Sequence, residues 1–347
     1  MTRILFFVLF LFIFADNGFS QTPPECDRSL IEDMAAYKDA CSPEEFHYEA
    51  FSWEAADVAV LASMLLVAGV FSVRHQPKCR FTFLTVIALL YFGIFRGGCI
   101  CPVGSTSNFC IGLAAPEMVG KVVALLFLLP LFSAFLFGRV FCTSACPLGA
   151  VQHLFSRNKG WEIPAVPLRI LRILPVLVLI ATVWGALRGG MFIACKLDVY
   201  KTVFFTGHAW IDQIEQWVQG TLTEPRIVFL GDLFAWLILG AVLFLGFFVQ
   251  RPFCRFACPY GVLLGIFSSI GLRRRSIDPN SCFSCIQCTK TCPTQAISVD
   301  AEKRTVTVSN FHCVQCGRCD ETCTTDSVGT LFPYSDTGSA VRKKQGT

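Results

Sequence analysis

Eight cysteines near the C-terminus form two runs with the same spacing, and this spacing is typical of metal ligands. The first run reads Cys-x2-Cys-x2-Cys-x3-Cys-Pro, and the second repeats it without the proline. Three closely spaced cysteines can wrap one iron–sulfur cube, while the fourth is carried to the neighbouring cube. We therefore expect two [4Fe–4S] clusters. One is held by Cys282, Cys285, Cys288 and Cys323, and the other by Cys292, Cys313, Cys316 and Cys319.

Structural zinc is the alternative, because Cys-x-x-Cys also binds Zn²⁺. A zinc ion needs only four ligands and gains nothing from a triple run followed by Cys-Pro, so the spacing favours iron. Thr324 stands where a second proline would complete the pattern. It could expose the cluster of Cys323 to water, but it leaves the ligand count unchanged. Between the runs, residues 296–299 and 306–308 alternate as two short strands, the frame of a small α+β domain.

A second cysteine motif, Cys-x3-Cys-Pro-x-Gly, occurs twice, at Cys142 and Cys146 and again at Cys254 and Cys258. Cysteines four positions apart share one face of a helix end. The proline discourages helix through the second cysteine, and the glycine permits a sharp turn after it. Two such ends brought together would supply four thiolates, enough for a further iron–sulfur cluster. Reduced cysteines packed at helix ends are the alternative.

Apolar elements must position these cysteines, since 54% of the residues are hydrophobic and only 16% are charged. Five segments come close to the roughly 20 residues of a spanning helix: 56–73, 81–98, 119–138, 169–187 and 227–249. Lysine and arginine concentrate after the first, third and fifth segments. The positive-inside rule then places residues 74–80, 139–168 and 250–347 in the cytoplasm. The net charge of +4 is too small to indicate nucleic-acid binding.

Residues 1–20 resemble a secretory signal, with a basic Arg3, a short apolar run and small residues before Gln21. An uncleaved anchor is the alternative. The expected organisation is a signal peptide (1–20), an extracytoplasmic segment (21–55), a transmembrane domain (56–275), a two-cluster domain (276–332) and a flexible tail (333–347). A disulfide between Cys26 and Cys41 would suit the extracytoplasmic segment.

Four further cysteines fall on the outer side of the expected membrane domain: Cys99, Cys101, Cys110 and Cys195. They could form an outward-facing metal centre or one or two disulfides. Asp232, inside the fifth apolar segment, is a candidate proton acceptor for quinol, although a carboxylate near the interface can also reach water. Arg96 could balance a negative centre near Cys99 or snorkel to the headgroups. No flavin or nucleotide motif occurs, and we expect no catalytic acid or base.

With these residues laid out, the chain resembles the NapH-type membrane polyferredoxins, the C-terminal half of the NosR family and MauN. The resemblance covers roughly residues 80–330 and depends on the two Cys-x3-Cys-Pro motifs and the cysteine runs that follow. It implies an α-helical membrane protein with a C-terminal α+β domain like that of two-cluster bacterial ferredoxins. The short segment 21–55 and the Cys99-x-Cys101-Pro sequence depart from that pattern.

The resemblance also implies a role in the bacterial cytoplasmic (inner) membrane, in contact with lipid and with the ferredoxin domain in the cytoplasm. The protein would relay electrons between the quinone pool or a cytoplasmic donor and a periplasmic redox enzyme, for example as a quinol dehydrogenase component. The alternative is a maturation or regulatory factor that supplies electrons for assembly of a metalloenzyme.

Overall fold

A computed structural model of the chain describes residues 51–74, 78–96, 101–114, 121–155, 163–189, 233–300 and 305–331, together with short stretches between 199 and 219. The predicted signal peptide, the predicted Cys26–Cys41 disulfide and the C-terminal tail lie outside the described residues. Helices make up the part before residue 271, and a small α+β domain follows.

The helical domain is built from helices of very different length. They are α1 (Phe51–Val73), α2 (Lys78–Ala88), continued by the π-helix Leu89–Phe95, α3 (Pro102–Ala114), α4 (Lys121–Phe137), α5 (Phe141–Ser144), α6 (Pro147–Phe155), α7 (Ala165–Leu171), α8 (Leu174–Gly189), α9 (Leu233–Gly246), α10 (Pro252–Phe256) and α11 (Pro259–Ile270).

Each of the five predicted apolar segments contains a helix, but only two described stretches are long and apolar enough to cross a membrane. They are Ala55–Val73 and Val166–Ala186. The other apolar helices, which have 10–17 residues, are Arg80–Phe95, Val122–Phe137, Trp236–Gly246 and Pro259–Ile270. Five spanning helices are therefore not supported by the described part of the chain. Helix α4 ends before Gly138, whose φ of 82° stops the helix just before the cysteine motif.

Helix α4 lies at the centre of the helical domain, where it packs against α1, α3 and α11. Tyr260 of α11 is 2% exposed, and its hydroxyl donates a hydrogen bond of 2.6 Å to the carbonyl of Phe127 in α4. The Tyr260 ring also meets the Phe141 ring edge-on, with centroids 6.0 Å apart. Because Phe141 directly precedes Cys142, this aromatic contact ties the first cysteine motif to the core.

The α+β domain contains two antiparallel strand pairs and two short helices. Strand β1 (Arg274–Ile277) pairs with β4 (Val328–Leu331), and β2 (Ile297–Asp300) pairs with β3 (Thr305–Val308). The helices are α12 (Gln287–Thr291) and α13 (Arg318–Thr322). The alternating sequence predicted the β2–β3 hairpin, whereas β1–β4 joins residues far apart in sequence and was not predicted.

A buried ion pair joins α1 to the end of the π-helix. Asp57 is 1% exposed, and Arg96 donates to both of its carboxylate oxygens, with a shortest distance of 2.6 Å. The hydroxyl of Tyr91 donates to the same carboxylate at 3.0 Å. The sequence offered two roles for Arg96, balancing a negative centre near Cys99 or snorkelling to the headgroups. In the fold it balances the carboxylate of Asp57.

We expect Asp57→Asn to lower the free energy of unfolding by about 3 kcal/mol, because it removes the negative charge that Asp57 places beside a largely buried guanidinium. Because Arg96 is partly exposed, we expect a loss at the low end of the range measured when one partner of a buried ion pair is removed. The measurement is thermal unfolding in detergent. A double variant, Asp57→Asn with Arg96→Gln, is the control, and it should be no less stable than the single variant. A double variant whose loss in free energy of unfolding equals the sum of the two single losses would contradict this account.

Candidate metal centres

The loops that carry the two cysteine runs repeat the same backbone conformation. Each run has three residues with positive φ at matching positions, and these residues are Ser284, Ile286 and Gln295 in the first half and Gln315, Gly317 and Asp326 in the second. Only one of the six is glycine, so the others hold a conformation that L-residues rarely adopt. Left-handed residues between the cysteines turn each loop back on itself. The two runs thus share a fold as well as a spacing.

The first ferredoxin group consists of the cysteines assigned to one cluster: Cys282, Cys285, Cys288 and Cys323. Burial raises the pKa of the Cys288 thiol, and electrostatic interactions with the other three members raise it further. Burial alone would raise the pKa of the Cys323 thiol, but hydrogen bonds from Thr325 and Ser327 outweigh it and lower the pKa. This favours the thiolate, which is the form that binds metal. The structure therefore brings the distant Cys323 to the first run.

The second ferredoxin group consists of Cys292, Cys313, Cys316 and Cys319. Burial raises the pKa of the Cys313 thiol to about 12, and the neighbouring thiols of Cys292 and Cys316 contribute in the same direction. The backbone N–H of Ala296 donates to the sulfur of Cys292 at 3.3 Å. The exchange of fourth cysteines that the spacing predicts is thus present in the fold, while ligation itself stays a prediction.

The motif group consists of the cysteines of the two Cys-x3-Cys-Pro motifs: Cys142, Cys146, Cys254 and Cys258. Burial raises the pKa of the Cys146 thiol, and interactions with all three other members add to it. Burial also raises the pKa of Cys254 to about 11. The two repeats therefore lie side by side in the fold, while their ligation of a cluster stays a prediction. Binding of a metal at these buried thiols requires that they lose their protons.

The expected sharp turn after the second cysteine of each motif is wrong. Pro147 and Pro259 instead occupy the first position of α6 and α11, where a missing N–H costs nothing. The backbone N–H of Gly149 then faces the sulfur of Cys146 as a hydrogen-bond donor. A Cβ at Gly149 would lie 2.8 Å from the carbonyl oxygen of Cys142. The glycine thus serves close packing inside a helix.

The third Cys-Pro-x-Gly sequence has the same geometry. Helix α3 begins at Pro102, and the N–H of Gly104 donates to the sulfur of Cys101 at 3.2 Å. Cys101 directly precedes α3 and the buried Cys110 lies within it, whereas Cys99, Cys195 and Asp232 lie outside the described residues. The outer metal centre and the outer disulfides therefore both remain predictions.

Polar side chains that the sequence analysis missed surround the motif group. Gln152 donates to the sulfur of Cys254 at 3.4 Å and accepts the backbone N–H of Phe253 at 3.2 Å, so it joins the two repeats. Arg139 and Arg251 are 6% and 5% exposed, and both lie beside these thiols. Their matching position, three residues before each first cysteine, is the signal that could have revealed them.

Donor chemistry and spacing together fit iron–sulfur clusters. Among the described residues, no three His, Cys, Asp or Glu side chains approach closely enough to share one metal ion. Each cysteine of a cube binds a different iron atom, so a cube requires wider spacing than zinc does. The buried Nε of Arg139 has no hydrogen-bond partner, which suits an anionic group beside it. Residues of all three groups therefore fit [4Fe–4S] clusters.

The second ferredoxin group lies next to the motif group. Thr143, inside the first motif, donates to the carbonyl of Val314 at 3.2 Å, and Cys316 packs against the helical core. At the first ferredoxin group, by contrast, Cys285 is exposed and Phe283 is 83% exposed. The three groups thus follow one another from the helical core to the surface of the α+β domain.

Two family models match this chain at the same cysteines. One, described as a 4Fe-4S binding domain, matches residues 119–164 and again 232–278, so each match contains one Cys-x3-Cys-Pro motif. The other, described as a 4Fe-4S dicluster domain, matches residues 281–327, which hold both ferredoxin groups. The chain therefore has 4Fe–4S ferredoxin domains.

Curated relatives are distant. Two uncharacterised proteins of Methanocaldococcus jannaschii, MJ0749 and MJ0750, are 29% and 27% identical and cover 63% and 59% of this chain and 73% and 78% of their own lengths. The Escherichia coli protein named "Putative electron transport protein YccM" is 26% identical over 57% of this chain. The match covers 54% of that protein. No solved structure matches. Together with the domains, the last relative suggests an iron–sulfur electron-transfer protein.

We expect Gly149→Ala to reduce iron bound at the motif group and to lower the free energy of unfolding by about 1–3 kcal/mol, because its Cβ meets the backbone of Cys142. Gly240→Ala is the matched control, since a Cβ there meets nothing within 4 Å. Iron content and unfolding temperature of the two variants are compared. Equal behaviour of both would show that close packing at Gly149 is unimportant.

Proposed function

We propose that this chain is a membrane-bound iron–sulfur electron-transfer protein with three [4Fe–4S] clusters. The observation that supports it most is the succession of three four-cysteine groups from the helical core to an exposed surface. Each group is assembled from two separate segments of the chain, so none results from a local sequence alone. A bound [4Fe–4S] cluster accepts and releases one electron without moving substrate atoms.

The side chains around each group would hold a cluster and keep water from it. At the motif group, Cys142 and Cys146 are 8% and 6% exposed, and Tyr260 covers them from α11. Backbone N–H groups and the amide of Gln152 point at the sulfurs, which stabilises thiolate. Burial lowers the potential of a cluster, whereas such donors raise it. The three groups differ in exposure, so we expect three different potentials.

Membrane attachment is supported by the two long apolar helices, and we extend it to the shorter ones that pack between them. By the distribution of basic residues, the motif group and the α+β domain would face the bacterial cytoplasm. By resemblance to NapH-type, NosR-type and MauN proteins, the outer partner would be a periplasmic redox enzyme. The inner partner would be the quinone pool or a soluble donor at the exposed first ferredoxin group.

The test is iron and sulfide content after anaerobic purification in detergent, with EPR spectra of the reduced protein. We expect about twelve iron atoms per chain, since three cubes hold four each. A Cys146→Ser/Cys258→Ser variant should retain about eight, with the signals of the ferredoxin clusters unchanged. Ser144→Ala is the matched control, because Ser144 is fully buried in the same loop but carries no thiol.

Two outcomes would contradict the proposal. About eight iron atoms in the unaltered protein would mean that the motif group holds no cluster, and the link between the helical core and the ferredoxin groups would be lost. Zinc without iron would remove electron transfer altogether.

A further inference from the structure

The two repeats place an arginine at the same position, three residues before the first cysteine of each motif. Gly138-Arg139-Val140-Phe141 leads to Cys142, and Gln250-Arg251-Pro252-Phe253 leads to Cys254. Both guanidinium groups are buried in the fold. A buried charge is costly unless an opposite charge lies beside it. Both arginines therefore require a negative group nearby.

Arg139 lies between the motif group and the loop that leads to the second ferredoxin group. Its Nη1 donates to the carbonyl of Phe311 at 2.8 Å, and its Nη2 is 4.0 Å from the sulfur of Cys142. Nη2 would also lie 3.0 Å from a Cβ at Gly261, the glycine of the second motif. The remaining nitrogen, Nε, is buried and has no hydrogen-bond partner in the part of the chain that the structure describes. One guanidinium thus touches both motifs and the α+β domain.

Arg251 reaches across to the other repeat. Its Nη1 donates to the carbonyl of Cys142 at 2.6 Å, and its backbone adopts a φ of 53°, which a non-glycine residue adopts at some cost. Its positive charge lowers the pKa of Cys254 against the larger effect of burial. Arg251 and Cys316 of the second ferredoxin group also line the same small cavity. Arg251 is therefore within electrostatic reach of two cysteine groups.

The surroundings contain an excess of positive charge. A cavity of about 30 Å³ beside Cys254 and Cys258 is lined, among the described residues, by four arginines and no carboxylate; the arginines are Arg139, Arg172, Arg251 and Arg255. The groups at this cavity that can become anionic are the cysteines. A cluster held by thiolates is anionic and gains a further negative charge on reduction.

We propose that Arg139 and Arg251 compensate the charge of a cluster at the motif group and set its reduction potential, with Arg251 acting on the second ferredoxin group as well. This inference depends on the proposed function, because it requires a cluster at the motif group. Both arginines are positioning residues. They bind no iron, but they favour the reduced, more negative state of the neighbouring site.

Redox titration followed by EPR tests this in the full-length protein. Arg139→Gln removes the charge and keeps an N–H donor for the Phe311 carbonyl. We expect the potential of the motif-group cluster to fall, with the equilibrium constant for its one-electron reduction lowered about tenfold, which equals about 59 mV. Arg251→Gln should lower the potentials of both the motif-group cluster and the second ferredoxin cluster.

Two further variants separate charge from shape. Arg139→Lys keeps the charge and should restore most of the potential. Arg274→Gln removes an exposed arginine in β1 of the α+β domain and should leave every potential unchanged, because solvent screens that charge.

Each outcome decides the inference. Arg139→Gln and Arg251→Gln proteins with full iron and unaltered potentials would overturn it while leaving the proposed function intact. If Arg139→Gln loses the motif-group cluster, retention in Arg139→Lys supports charge compensation, and loss in both overturns it. About eight iron atoms in the unaltered protein would reject the proposed function itself, and the inference with it.

Discussion

This structure depends on one constraint. Its thiols are buried, and they must become negative in order to bind metal. In an apolar domain a thiolate is stable only beside donors or positive charge. The chain meets this constraint with groups brought from elsewhere in the sequence, among them Gln152 from α6 and the repeated arginines. The position of Cys142 also limits a helix length. Helix α4 ends before Gly138, and the short helix α5 that carries Cys142 begins after it.

Other arginines hold the α+β domain against the helical domain by hydrogen bonds. Arg172 and Arg255 donate to the segment around Gln295, with shortest distances of 2.8 and 2.6 Å. In the opposite direction, the guanidinium of Arg318 donates a hydrogen bond of 2.9 Å to the side-chain oxygen of Gln250 in the helical domain. Within the domain, the buried pair of Arg275 with Asp320, 2.9 Å apart, fixes β1 against α13. These polar contacts join the two domains, so the geometry of the interface is set by the direction of hydrogen bonds as well as by burial.

Much of the candidate site could be predicted from sequence, because cysteine spacing encodes local geometry. The exchange of Cys292 and Cys323 and the meeting of the two motifs follow from short-range rules applied twice. What could not be predicted depends on contacts distant in sequence. The β1–β4 pairing, the bond from Thr143 to Val314 and the partner of Arg96 have no local signal. The turn expected after Cys146 was wrong because proline can begin a helix as well as end one.

The internal repeat has a consequence for symmetry. Each repeat contributes only two of the four thiols, and Gln152 of the first repeat binds Cys254 of the second. A chain with one copy could complete such a site only by pairing with a second copy across a two-fold axis, since a two-fold interface places equivalent patches face to face. Joining both copies in one chain removes that dependence on concentration. It also frees the halves to diverge, so that Gln152 now has a leucine, Leu264, as its counterpart in the second repeat.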